Sequence, residues 1–283
     1  MIYLVFCILS STGIFVFFKL FKKYDVNTLQ AIVVNYITAF ICGITLYDGL
    51  INLGEIINSS WFYGAVGLGF LFILIFNVMA LTAQTNGLSV ASVASKMSVI
   101  IPIVFGIIVF KESAGFIKLT GIFMALVAVY LTSVRDKDNV ILTQSIYLPI
   151  LLFFGSGTID TLVNYFAPDD KIPLFSATIF AMAFFIGMGV LIFNSIKQKS
   201  KPKFKSIPFG MALGILNYAS IYYLLKALRV DGYETSTVFT IINVGIVAFS
   251  TLVGLFLFKE KISKKNWAGI FIAMISIIIV TLA

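Results

Sequence analysis

Two ionisable side chains stand inside long apolar runs, where a charge needs a physical reason. Lys96 lies in the run 88–110, about nine residues from its start, which is roughly 12 to 14 Å along a helix at ~1.5 Å per residue. Ser89, Ser92 and Lys96 fall within one narrow arc of a helical wheel, so the lysine belongs to a small polar stripe. At such depth it serves either as an anion or carboxylate contact facing a water-filled cavity, or as a cation paired permanently within the protein. Asp160 is the one acidic residue well inside the run 146–166. Gly157, Asp160 and Asn164 share a helical face, with Gly155 and Ser156 one turn away, and glycines there permit close backbone approach or a local break. Three roles are open to Asp160: partner of Lys96, contact for a cationic group, or carrier of a proton.

Further polar residues sit in neighbouring runs: Asn35, Asn77, Asn217, and Ser236, Thr240 and Asn243 along one face. Each asparagine could line a cavity or make an interhelical hydrogen bond. Tyr218 and Tyr222 are one turn apart, placed for stacking or for an interfacial belt. Lys226, Arg229, Asp231 and Glu234 read as loop charges first and a gate second. The chain has no His, which removes the commonest metal ligand and general base. Cys7 and Cys42 fall in apolar runs and read as small hydrophobes. With no glycine-rich nucleotide loop either, neither cofactor nor metal is expected, and no enzymatic activity.

The elements that must carry these residues follow from composition. The chain is 60% hydrophobic and only 11% charged over 283 residues, against about 25% charged in a soluble domain. Its lysines cluster between apolar runs and form no aromatic-interleaved basic face, so nucleic acid is not an expected partner despite the net charge of +8. A spanning helix needs about 20 apolar residues. Runs near 2–20, 28–47, 61–81, 88–110 and 115–133 precede the polar link Arg135-Asp136-Lys137-Asp138-Asn139, and runs near 146–166, 172–195, 207–228, 234–258 and 265–282 follow it. The expectation is an all-α polytopic membrane protein with ten transmembrane helices.

The chain also repeats itself. Phe110-Lys111-Glu112 recurs as Phe258-Lys259-Glu260, and the same 148-residue shift pairs Val90 with Val238, Gly106 with Gly254, Gly121 with Gly269 and Ala125 with Ala273. It also aligns Thr240 with Ser92 and Asn243 with Ser95. Residues 1–138 and 139–283 therefore read as two five-helix repeats. An odd number of spans reverses the side from which the second repeat starts, so the repeats are inverted. The Lys-Glu pairs stand at helix ends, where the carboxylate can cap the next helix or offset its neighbour's charge.

Counting basic residues orients the chain. One side receives fourteen: Lys19, Lys22, Lys23, Arg135, Lys137, the five lysines from Lys197 to Lys205, and Lys259, Lys261, Lys264 and Lys265. The other receives five: Lys111, Lys118, Lys171, Lys226 and Arg229. The positive-inside rule then puts both termini outside the cell membrane.

The stretch Ser89 to Thr132, with Pro102, Gly106, Lys111-Glu112 and Gly121, resembles the drug/metabolite transporter superfamily in its ten-span EamA-like branch. Thr237 to Leu282 repeats the pattern with Gly254, Lys259-Glu260, Trp267 and Gly269, although Ser250 stands opposite Pro102 and Leu119 opposite Trp267. The resemblance implies a secondary transporter working by alternating access, with its site between the repeats and the fourth and ninth spans lining it. The expected substrate is a small polar, amino-acid-like metabolite and the expected direction export, with Lys96, Asp160, Ser92, Asn77, Asn164, Asn217, Thr240 and Asn243 as binding residues and a proton or ion as the coupling species. A membrane-embedded enzyme and a structural or signalling membrane protein are the alternatives. The small-residue stripes Gly121, Ala125, Ala128 and Gly269, Ala273, Ser276 leave spans five and ten to brace the bundle or to form a homodimer.

Overall fold

The computed structural model describes residues 2–47, 49, 51–101, 104–105, 115–133, 146–166, 168, 171–198, 203–228, 230 and 235–282. Phe110-Lys111-Glu112, Pro102, Gly106, the link Arg135–Asn139, and Arg229, Asp231 and Glu234 lie outside them. The described helices are α1 (Ile2–Lys23), α2 (Thr28–Thr45), α3 (Leu53–Ile57), α4 (Phe62–Thr85), α5 (Leu88–Met97), α6 (Phe116–Ser133), α7 (Tyr147–Phe166), α8 (Ile172–Gln198), α9 (Ser206–Leu228), α10 (Thr235–Phe258) and α11 (Lys264–Leu282). No strand occurs among the described residues. Every expected apolar run carries one of these helices. Six stretches are long and apolar enough to cross a membrane: Ile2–Lys23, Thr28–Thr45, Phe62–Thr85, Pro173–Lys197, Ser206–Leu224 and Ile241–Phe258. The chain is thus an all-helical, multi-pass membrane protein over the residues described. Helices suit this setting because each satisfies its own backbone hydrogen bonds, which hydrocarbon cannot do.

Helix starts follow ordinary capping chemistry. Asn27 accepts the Gln30 N–H at 3.1 Å to open α2, and Asn52 accepts the Gly54 N–H at 3.0 Å to open α3. The Ser263 hydroxyl accepts the Asn266 N–H at 3.2 Å where α11 begins.

The helices gather into two compact units. The first comprises Met1–Leu20, Val78–Thr158 and Ala219–Ala283, and the second Phe21–Asn77 and Ile159–Tyr218. Each draws on both halves of the sequence, so spatial units and sequence repeats divide the chain differently.

The first unit centres on Val93, Met97, Ile100, Ala125, Ala128, Val129, Phe153, Val247, Ile270, Ala273 and Ile277. Here α6 and α11 pack tightly, because their small residues let the backbones approach. Ser276 donates to the Gly121 carbonyl at 2.8 Å, and the Asn266 amide to the Thr132 carbonyl at 2.6 Å. Both stripes are used inside the chain, one against the other, as bracing requires.

The second unit is built on aromatic rings. Fully buried Tyr36 of α2 donates its hydroxyl to the Phe72 carbonyl at 2.8 Å and lies against the rings of Phe72, Phe76 and Phe180, with centroids 5.5 to 6.4 Å away. Such rings contribute area and offset or edge contacts together. At one end of this unit, Lys203 Nζ reaches Asp25 at 2.6 Å, and the Lys203 N–H reaches Gln30 Oε1 at 2.9 Å. Elsewhere Glu55 and Lys171 pair at 3.6 Å.

Two outcomes follow. Tyr36→Ala should lower stability in detergent by ~3 to 5 kcal/mol and Tyr36→Phe by only about 1 kcal/mol, read from denaturant unfolding. The Lys203 hydrogen bond, and then its charge, hold the Asp25 carboxyl below its ordinary range. A depressed folded-state value stabilises above the unfolded value and is lost as pH falls through the folded one. Acidification through the carboxylate range should therefore cost the wild type slightly more melting temperature than Lys203→Met; equal acid sensitivity would show the pair to be idle.

Candidate functional site

Lys96 occupies the last turn of α5, half-buried on a helix whose other side chains are buried from Leu88 to Met97 except Val90. The helix does not run on as the sequence predicts for 88–110. Ser98 and Val99 form a turn, Ile100 and Ile101 are helical again, and the Ile101 N–H bonds the Ser98 carbonyl at 2.9 Å. The cause is legible in the chain: Pro102, four residues past Ser98, has no N–H to donate. Gly157 of α7 comes against this interruption. A Cβ there would stand 2.4 Å from Ile101 Cδ1 and 2.7 Å from the Ser98 oxygen. Gly157 thus provides close approach, and α7 itself is unbroken; the break lies just past α5, at Ser98 and Val99.

The ammonium of Lys96 has polar company of modest strength. The Cys7 thiol of α1 lies within its electrostatic reach, bonded to Ser11 and donating to the Ser220 carbonyl at 3.4 Å. The ion pairs among the described residues are Lys19–Glu260, Glu55–Lys171 and Asp25–Lys203, and Lys96 belongs to none. Three hydroxyls of this first unit, on Thr12, Ser89 and Ser156, are buried with no partner among the described residues. Unpaired buried donors are uncommon in proteins and call for an explanation.

The other predicted residues are distributed as follows. Ser92 and Asn243 share the first unit with Lys96, whereas Asn77, Asp160, Asn164 and Asn217 belong to the second. Ser92 is fully buried, donates to the Ser89 carbonyl and accepts the Ser250 hydroxyl of α10 at 2.6 Å. It joins two helices. Asn217 donates to Asn35 Oδ1 at 3.2 Å, again between helices, and Asn77 bonds the Ile73 carbonyl of its own helix at 2.6 Å. Asn243 is buried, and Asp160 is exposed along α7 with interactions of its own. Thr240 and Asn164 lie on α10 and α7, but their side chains are not among those described. Tyr222 lies beneath Lys226, 5.6 Å from ammonium to ring centroid.

The joining of Glu260 to Lys19 and to α5 escaped the sequence reading. Lys259 adopts φ 51°, turning the chain after α10 so that the Glu260 N–H reaches the Gly254 carbonyl at 2.9 Å. The Glu260 carboxylate then accepts the Leu88 N–H at 3.0 and 3.2 Å and pairs with Lys19 at 3.0 Å. It caps α5, a helix 172 residues away in sequence, and not the next helix α11, as expected. The αL turn at Lys259 sends the side chain back over α10, while Ser263 serves the start of α11. Lys19 had counted only as an orienting loop charge. The repeat of Phe-Lys-Glu was the available signal, but its partners are too distant in sequence to be read from it.

No family model matches the chain. It is similar along its whole length to an uncharacterized protein of Haemophilus influenzae, with 28% identity over 280 residues covering 97% of this chain and 95% of that protein.

The tight seat of Gly157 is directly testable. Gly157→Leu should cost ~1 to 3 kcal/mol or more by overpacking, whereas Gly189→Ala, where nothing lies within 4 Å, should leave the melting curve in place. Equal tolerance at both positions would contradict the packing described.

Proposed function

We propose that the protein is a secondary transporter of small polar metabolites, an EamA-like member of the drug/metabolite transporter superfamily, with ten membrane helices as two inverted five-helix repeats. The substrate class is amino-acid-like compounds, the direction export, and the site lies between the repeats. The observation that carries this reading is Lys96: a half-buried ammonium at the end of an interrupted apolar helix, in no ion pair with a described residue. A charge inside a membrane protein is costly unless it meets water, a partner or a ligand. Discontinuous helices recur at the binding sites of secondary transporters, because freed backbone groups and half-helix ends meet the ligand there. Lys96 receives the substrate carboxylate in this scheme. Asp160, exposed within a membrane helix, contacts a cationic group or carries the coupling proton. Asn243 and Thr240 of α10 serve as hydrogen-bonding residues for the same ligand, and Ser92 holds α5 to α10.

Proteoliposomes loaded with a metabolite mixture test the proposal by counterflow, after a thermal-shift screen has ranked the solutes, since a bound substrate stabilises the folded state. Lys96→Met should reduce transport of the active solute by roughly 10- to 100-fold, the loss of one charge-assisted contact. Lys96→Arg should retain part of it. Wild-type transport by Lys96→Met would overturn the assignment, and chemical conversion of a solute would point to an enzyme.

A further inference from the structure

We propose that Glu260 and Lys19 form a clasp that sets the register of α5 and thereby places Lys96, making both positioning residues for transport. The role in transport rests on the function proposed above; the mechanical link does not. Three helices meet at one carboxylate: α5 through the Leu88 N–H, α1 through Lys19, and α10 through the turn at Lys259. The Glu260 side chain is only 13% exposed. A charge that far from water depends on its partners, and loss of one leaves the other uncompensated.

The seat is shaped for this group. Gly87 has φ 109°, a conformation side chains rarely adopt, and a Cβ on it would stand 2.9 Å from Glu260 Oε2. A Cβ on Gly254 would stand 2.7 Å from the same oxygen. Bordering the seat is the Ser89 hydroxyl, 3.4 Å from that Gly254 position, buried and without a partner among the described residues. The carboxylate therefore has two donors on successive residues of α5: the Leu88 N–H it now holds and the Ser89 O–H next to it. Exchange between them shifts α5 relative to α10.

Such a shift reaches Lys96 because α5 is short and unbroken up to it. From Leu88 to Lys96 is about 12 Å of helix at ~1.5 Å per residue. Beyond Met97 the turn at Ser98 and Val99 uncouples α5 from the chain that follows. Its other described hydrogen bond to α10 is Ser92–Ser250, and Val93 and Met97 share an apolar core with Val247 of α10. The clasp holds one end and the ammonium sits at the other.

The test reads position 96 without needing a substrate. In a background with Cys7→Ser and Cys42→Ser, Lys96→Cys is labelled with a membrane-impermeant methanethiosulfonate in proteoliposomes. Glu260→Gln, Lys19→Met and Gly254→Ala, the last keeping both charges while filling the seat, should each change the labelling rate by about tenfold, a coupling of ordinary size. Lys203→Met, which removes an ion pair in the other unit, should not. Double replacement Lys19→Glu with Glu260→Lys keeps an ion pair but should not restore the rate, because an ammonium at position 260 cannot accept the Leu88 N–H. Unchanged labelling in variants that remain monodisperse and melt cooperatively overturns the clasp, and any one of the three that folds suffices to decide. A merely stabilising cap would lower the melting temperature and leave labelling of folded protein alone. Altered labelling together with wild-type transport by Lys96→Met leaves the clasp standing and removes Lys96 as substrate contact. No labelling in any variant overturns both readings, since a substrate contact must be reachable from water.

Discussion

The carboxylate of Glu260 is the constraint on which the arrangement of the first unit depends. Helix N-termini carry unsatisfied N–H groups and a positive end of the dipole, so an anion there is favourable, and the more so away from water. What is unusual is its origin. A helix commonly takes its cap from the residue just before its first turn, and at α5 that residue is Gly87, which has no side chain to offer. The missing cap is supplied from beyond the end of α10, and Lys19 balances the charge. A local deficit in α5 is thereby turned into a contact of three helices that are remote in sequence. Gly87 and Gly254 make this feasible, one by its positive φ and both by leaving room for the carboxylate.

The far end of α5 is governed by the opposite circumstance. At its start a donor is met by an imported acceptor; at its finish the Ser98 carbonyl loses the N–H that Pro102 cannot provide, and the Ile101 N–H substitutes from one residue nearer. Gly157 lets α7 close over that point, so the irregular backbone is covered by protein, as non-helical backbone in a membrane must be. Lys96 is placed between a fixed start and an interrupted end. The second unit contains no such device among its described residues. It is held by the rings around Tyr36 and by loop ion pairs such as Asp25–Lys203, whose exposed position makes them weak.

Much of the fold was readable from the chain, and the reasons divide cleanly. Apolar runs of about 20 residues declare membrane helices because hydrocarbon excludes almost every alternative, and helix was found in each run. Small-residue stripes declared close packing, and α6 and α11 use them on each other. The run 88–110 reads as one continuous helix, and the turn at Ser98 and Val99 shows that Pro102 carries more weight there than hydropathy. Ser92 belongs to the polar stripe of α5 and Asn217 is open to a cavity or to an interhelical hydrogen bond; the structure gives them Ser250 and Asn35. The Glu260 carboxylate reads as a cap for the adjacent helix or an offset for its neighbour's charge; it caps α5 instead. Periodicity reports which face of a helix is polar, and it does not report which distant element that face will meet.

The two halves of the sequence invite one more comparison. Shifted by 148 residues, Lys96 falls opposite Val244, and Val244 is packed against the apolar core that includes Val93 and Met97. Equivalent positions of one repeated pattern therefore hold a charge in one half and a core side chain in the other. Packing alone would favour the apolar residue at both, since an ammonium gains nothing from an apolar neighbour and loses its hydration. A lysine retained where its counterpart is a valine is thus poorly accounted for by scaffold requirements. The sequence pattern repeats, and the charge stands where the repetition stops, at the end of α5 away from Glu260.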